Sequence, residues 1–312
     1  MNAALETRGL RKRFRRVEAL RGADFDVPEG SVCGFLGPNG AGKTTTMEIL
    51  MGLIRPSGGW ASIFGSDLGS DGLGVRSRIG YLPQDASFFP RSRVRDVLRF
   101  VARRYLTGTR SAIETRVDET LELVGLEALA DRRVKALSGG ERQRLGIGQA
   151  VIGGPDLLIL DEPSVGLDPE GRRQVLDLLE RFRQDMTIFY SSHVLDDVER
   201  VADHIVVIDR GVIVDQGPME RYLGGRVTHR VSLDGGDARA AMERIERESW
   251  VNNIRPMRNG EWEIESTDRR MVEKNLLRVL ASADSVRVVS LRPMQRSLED
   301  VYFDLIESAD DG

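Results

Sequence analysis

The sequence predicts a layered α/β fold with an inserted helical segment, followed by a small α+β unit of ferredoxin-like order. Three observations support this. Short all-apolar runs bounded by turn formers alternate with helical patterns. Arginine-rich helical sequence at about residues 91–134 breaks that rhythm. From about Val227 an independent set of strand and helix signals begins.

The apolar run 31–36 leads through a glycine-rich turn into a helix at 44–53. Residues 157–160 follow Gly153, Gly154 and Pro155 and are wholly apolar, as in a strand buried on both faces. Residues 187–190 are a third strand, and 205–208 pass through Arg210-Gly211 into 212–214 as an edge hairpin. Val175, Leu178, Leu179 and Phe182 fall on one helix face. In the inserted segment, 96–105 and 111–123 read as helices.

A boundary near Tyr222–Gly225 divides a first domain, 1–225, from a second, 226–312. In the second, strands are expected near 230–233, 251–257, 261–265 and 286–291, with an Asn259-Gly260 type I′ turn. One helix aligns Ala238, Ala241, Met242 and Ile245; another aligns Val272, Leu276, Val279 and Leu280, giving the order βαββαβ. A last helix carries Leu298, Val301, Tyr302 and Leu305 on one face and is expected to pack on this small domain.

Of 312 residues, 40% are hydrophobic and 30% charged, which allows a buried core beneath a solvated surface. A net charge of −4 supplies no positive field for a nucleic-acid backbone, so nucleic acid is not an expected partner. The single cysteine, Cys33, excludes an internal disulfide or a paired-cysteine zinc site, points to a reducing compartment and reads as a buried strand residue. The charged N-terminus lacks a signal-peptide core, and no apolar run approaches the roughly 20 residues that span a bilayer. Membrane contact is therefore expected only through a partner.

Gly37-Pro38-Asn39-Gly40-Ala41-Gly42-Lys43-Thr44 is a phosphate-loop pattern, placed between a strand and a helix as that pattern requires. Its glycines let several backbone N–H groups point into one concavity, and the helix start adds its positive dipole end. Lys43 is suited to the β- and γ-phosphates and the Thr44 hydroxyl to Mg²⁺, with Thr45 completing the nucleotide-binding set. The strand 157–160 ends in Asp161-Glu162 at the sheet edge where α/β folds bind ligands. Asp161 is suited to the Mg²⁺ hydration shell and Glu162 to taking a proton from attacking water. Leu137-Ser138-Gly139-Gly140-Glu141-Arg142-Gln143 opens a helix with Ser138 as N-cap, a second place where backbone donors meet an anion.

These three motifs, in this order over about residues 5–225, resemble the ATP-binding subunits of ABC transporters, the LSGGE-type signature being the specific one. The resemblance implies a phosphate-loop NTPase cassette that hydrolyses ATP with Mg²⁺. It assigns Gln84 to the glutamine loop, with catalytic and metal roles, Gly166-Leu167-Asp168 to the D-loop, His193 to the switch histidine and Phe14 to adenine stacking. It further implies a head-to-tail homodimer in which Ser138, Gly139 and Gly140 close over the partner's ATP. The helical segment and the Gln84 loop would dock on a separate transmembrane permease, placing the chain at the cytoplasmic face of the cell membrane. The tail Ser297-Leu298-Glu299-Asp300-Val301-Tyr302 resembles that of ABC-2-type, daunorubicin-exporter-like drug-resistance ATPases, hence export. An importer ATPase with a substrate-sensing C-terminal domain and a soluble non-transport ABC ATPase are the alternatives. His204 and His229 match no motif.

Overall fold

A computed structural model describes residues 2–69, 72–223, 227–235, 238–257, 260–266, 274–276, 278–279, 286–295 and 297–310. The chain divides into two compact units, Met1–Pro218 with Leu305–Gly312, and Met219–Asp304.

Along the first unit run β1 (Ala3–Phe14), β2 (Val17–Pro28), β3 (Val32–Leu36), α1 (Lys43–Leu50), β4 (Gly58–Ile63), β5 (Ser66–Asp67), α2 (Gly72–Arg76) and β6 (Ile79–Leu82). The inserted segment supplies α3 (Val94–Tyr105) and α4 (Arg110–Leu123). After it come α5 (Gly139–Val151), β7 (Leu157–Leu160), α6 (Pro169–Phe182), β8 (Thr187–Ser192), α7 (Leu195–Val201), β9 (His204–Asp209) and β10 (Val212–Pro218).

Six of these strands form a sheet in the order β10-β9-β3-β8-β7-β6. Its members pair in parallel except for the β9–β10 edge hairpin. Every residue of β3, β7 and β8 is buried; β7 is wholly apolar, whereas β8 also buries Thr187, Ser191 and Ser192.

A second, antiparallel sheet, β2-β1-β4-β5, was not foreseen from the sequence. Its first strand buries Ala4, Leu5, Thr7 and Leu10 among charged neighbours, and register shifts near Gly9 break the alternation that would have marked it. The α/β reading therefore needs this layer added. Phe25 of β2 meets Phe35 of β3 and Phe189 of β8 with ring centroids 5.4 and 5.7 Å away, and the last two lie 5.1 Å apart. This buried aromatic cluster sits in one core with Leu5, Met47 and Ile159 and joins the two sheets.

In α3 and α4, Arg99 reaches Glu114 with Nε–Oε1 2.5 Å and Nη2–Oε2 2.8 Å, and Arg95 reaches Asp118 at 2.7 Å. The arginines that mark this segment thus cross-link its own helices.

In the second unit, α8 (Met219–Leu223) precedes β11 (Val227–Asp234), α9 (Ala238–Glu246), β12 (Val251–Pro256), β13 (Glu261–Ser266) and β14 (Arg287–Gln295). The antiparallel sheet order is β12-β13-β11-β14, with β13 splitting the β11-α9-β12 unit. Ala241, Met242 and Ile245 of α9 are buried in one core with Val231, Trp250, Ile264 and Leu276, and Val279 packs on it. Asn259, Val272, Leu280 and the boundary residues Gly224 and Gly225 lie outside the described residues. A C-terminal helix, Leu298–Asp310, buries Leu298 and Val301. The units divide within this helix, at Leu305, so it does not fall wholly to the small domain as expected.

Phe35→Ala would open a cavity at the aromatic junction and should cost about 3–5 kcal/mol. Urea unfolding of the full chain measures this, and a loss below 1 kcal/mol, roughly that of a minor truncation, would remove the junction as a stabilising element.

Candidate functional site

Register in the parallel sheet assembles the site. Leu36 pairs with Ser192 and Leu160 with Tyr190, so β3 and β8 end level, and β7, on the other side of β8, stops two residues earlier. The phosphate loop after β3, His193 after β8 and Asp161-Glu162 after β7 therefore emerge side by side. Leu82 pairs with Leu160, which brings Gln84, two residues past β6, to the same edge.

The loop needs glycine at two points for different reasons. Gly42 holds φ 113°, a region that L side chains avoid, and α1 starts at the next residue. At Gly37 an added Cβ would collide with the backbone carbonyl of Ile208, so the loop can lie against β9 only without a side chain.

Lys43 and Glu162 are buried, with side chains 6% and 7% exposed, and Nζ lies 3.1 Å from Oε1. The ammonium also donates to the carbonyl of Gly37 at 2.7 Å and of Pro38 at 3.3 Å. The other carboxylate oxygen, Glu162 Oε2, lies 2.9 Å from His193 Nδ1. Both oxygens of Glu162 are thus held by groups from two other strand ends.

Glu162 adopts φ 50°, the left-handed region. For a glutamate this is a local conformational cost, of the kind found at ligand-handling positions. Its N–H donates to Ser191 Oγ at 2.8 Å, and the Ser191 hydroxyl donates to Asp161 Oδ1 at 2.7 Å. Asp161 is fully buried, and among the described residues its Oδ2 has no hydrogen-bond partner. Burial first, then the charges of Asp161 and Glu48, push the Tyr81 hydroxyl up to about 12, which keeps it neutral. Burial likewise pushes the Cys33 thiol up, in keeping with an inert strand residue.

A cavity of about 330 Å³ opens over this edge, lined by Ala19, Asn39, Gly40, Gly42, Lys43, Thr44, Thr45, Gln84 and Glu162. Gly37, Pro38 and Ala41 shape the loop beneath without lining it. Phe14 is 43% exposed at the end of β1, outside that lining, with Lys12 Nζ 4.8 Å from its ring centroid. Ser138, Gly139 and Gly140 also lie outside it, at the solvent-facing start of α5. There Ser138 Oγ accepts from Glu141 N at 3.2 Å and Glu141 Oε2 accepts from Ser138 N at 2.7 Å, a complete capping box.

Sequence reasoning did not single out Ala19, Ser191, Ser164 or Asp197. Ala19 lies in a strand of the unforeseen sheet, and the other three carry no spacing signal.

A phosphate loop on a parallel sheet, with a buried lysine and paired acids at its carboxyl edge, defines a nucleotide-binding α/β ATPase. The ABC transporter family matches residues 20–165. The daunorubicin/doxorubicin resistance ATP-binding protein DrrA of Streptomyces peucetius is 39% identical, over 78% of this chain and 74% of its own. The bacitracin transport ATP-binding protein BcrA of Bacillus licheniformis is 31% identical over 98% of each chain. The solved structure of cbiO1 from Clostridium perfringens, part of an ABC transporter complex, superposes with a TM-score of 0.64. It is 28% identical, over 71% of this chain and 90% of that one. The chain belongs to the ABC transporter ATP-binding family and is an ATPase of that class.

Removing the lysine should leave Glu162 buried with His193 alone. Lys43→Met is expected to lose about 3 kcal/mol of stability, and Lys43→Met/Glu162→Gln to recover most of it. Urea unfolding without nucleotide measures both; equal losses in the two variants would show that the pair contributes nothing to the fold.

Proposed function

We propose that this subunit binds MgATP at the Gly37–Thr44 loop and hydrolyses it as a head-to-tail homodimer, driving export through a separate membrane permease. The observation that carries this reading is the strand order that brings Lys43 and His193 onto the two carboxylate oxygens of Glu162, with Lys43 and Glu162 lining one cavity.

For the chemistry, Glu162 takes the proton of an attacking water while His193 keeps its side chain aimed. Lys43 first has to leave Glu162 for the β- and γ-phosphate oxygens, which frees Oε1 for that water. Asn39, Gly40 and Gly42 offer backbone to the phosphates, and Thr45 and Ala19 line the side of the cavity. The unpartnered Oδ2 of buried Asp161, with Thr44 and Gln84 on the cavity wall, fits a hydrated Mg²⁺. When bound, that ion would neutralise phosphate charge. Phe14 would stack adenine only by turning from Lys12.

Ser138 and Gly139 are exposed, Gly140 is half-buried, and none carries a cation of its own, which suits completion of a twin's site. No helix among the described residues is long and apolar enough to cross a membrane. A permease would meet the apolar cavity of about 360 Å³ between the Gln84 segment and α3, where Phe89 is 82% and Phe100 64% exposed. Export is supported by relatives named for drug resistance and bacitracin transport.

Glu162→Gln should keep MgATP binding, lower kcat by roughly 10²–10⁴-fold and accumulate an ATP-bound dimer; chelating Mg²⁺ should stop turnover. Steady-state hydrolysis with size-exclusion chromatography reads this, and wild-type kcat in the variant would remove Glu162 as base. Phe100→Asp should weaken copurification with the membrane permease that the wild type recovers; undiminished recovery would place the docking surface elsewhere.

A further inference from the structure

One buried acid has no part in the chemistry above. Asp197, in the first turn of α7, is 1% exposed. Its Oδ2 accepts from the Ser164 hydroxyl at 2.6 Å and its Oδ1 from Arg172 Nε at 2.5 Å. Tyr190 OH donates to its main-chain carbonyl at 3.4 Å. A carboxylate withdrawn from water is tolerable only with such charge-assisted partners, so both bonds are firmly specified.

What these partners have in common is their place in the chain. Ser164 is buried two residues after Glu162, and Arg172 lies in the first turn of α6. Between them the loop 165–168 is solvent-facing, with Val165 37% exposed and Gly166 at φ 71°. Asp197 therefore clasps both ends of an otherwise exposed loop. It also sits four residues after His193, whose ring holds Glu162. Glu162, Ser164, Asp197 and His193 thus close a ring of chain and side-chain bonds.

We infer that Asp197 is a positioning residue for ATP hydrolysis, fixing the segment of Glu162 to the segment of His193 and setting the loop 165–168. This rests on the hydrolytic role proposed for Glu162. Asp197 touches neither the cavity nor Lys43, so its removal should act on turnover rather than on nucleotide affinity.

The test uses the full chain and the variants Ser164→Ala, Ser164→Thr and Asp197→Asn. Ser164→Ala and Asp197→Asn should lower kcat by about ten- to hundred-fold, with KM for MgATP within about twofold of wild type. Ser164→Thr, which keeps the hydroxyl, should restore most of kcat. The double variant should be no slower than Asp197→Asn alone, because one bond is broken either way. In nucleotide-free protein, hydrogen exchange should rise at 165–168 in Asp197→Asn while α1 keeps wild-type protection.

Wild-type kcat in Ser164→Ala and Asp197→Asn would overturn the positioning role alone. So would equal losses in Ser164→Ala and Ser164→Thr, or kcat and KM changing together with a lowered Tm. Absence of turnover in the wild type would instead overturn the hydrolytic reading, and the exchange measurement would then still decide whether the clasp exists.

Discussion

Lys43 and Glu162 face each other with only 6% and 7% of their side chains exposed, and neither could be there alone. An ion taken out of water costs several kcal/mol unless an opposite charge and further hydrogen bonds compensate it. Here the compensation is shared: Gly37 and Pro38 carbonyls hold the ammonium, and His193 holds the second carboxylate oxygen. Under the proposed mechanism, an incoming phosphate would compete with Glu162 for Lys43 and release the oxygen assigned to the attacking water. In that reading, binding and readiness for catalysis are linked through a single ammonium group.

That ion pair constrains the scaffold beneath it. β3, β8 and β7 must keep this order and register, or the lysine, histidine and glutamate would not meet. Burial of both faces enforces the register, because a slip would pull apolar residues of β7 or β8 out of the core. The aromatic junction of Phe25, Phe35 and Phe189 fixes the antiparallel sheet onto this platform, which is how Ala19 comes to line the cavity.

The parts legible in the sequence were those where burial leaves a simple trace. Residues 157–160 had to read as an inner strand because all four are apolar and buried. The phosphate loop was legible because backbone donors, a lysine and a hydroxyl impose fixed spacing, and Ser138 because a capping box has its own spacing. The antiparallel sheet left little trace: β1 alternates charged residues with buried ones, and its register shifts reset the period midway. Asp197 left none. An acid among Asp196, Glu199 and Arg200 on a short helix reads as a solvated charge, and only tertiary packing reveals that it faces Ser164 and Arg172. Spacing specifies local geometry, whereas a clasp between distant segments is specified by topology.

The exposed start of α5 follows from the same accounting of donors. Ser138 Oγ accepts the Glu141 N–H, and its own N–H is taken by the Glu141 carboxylate. A hydroxyl also carries a proton to donate, so capping leaves that proton available. The first N–H groups of a helix lack intrahelical acceptors, which adds Gly139 and Gly140 as donors beside it. These donors suit phosphate oxygens, but Glu141 places a carboxylate close by and Arg132 reaches that carboxylate only at 3.8 Å. Arg142 Nη2 donates to the Leu137 carbonyl at 3.3 Å, so one guanidinium as well as one carboxylate borders these exposed donors. Under the proposed dimer, a nucleotide gripped by Lys43 of a second copy would bring its own neutralising charge to these donors.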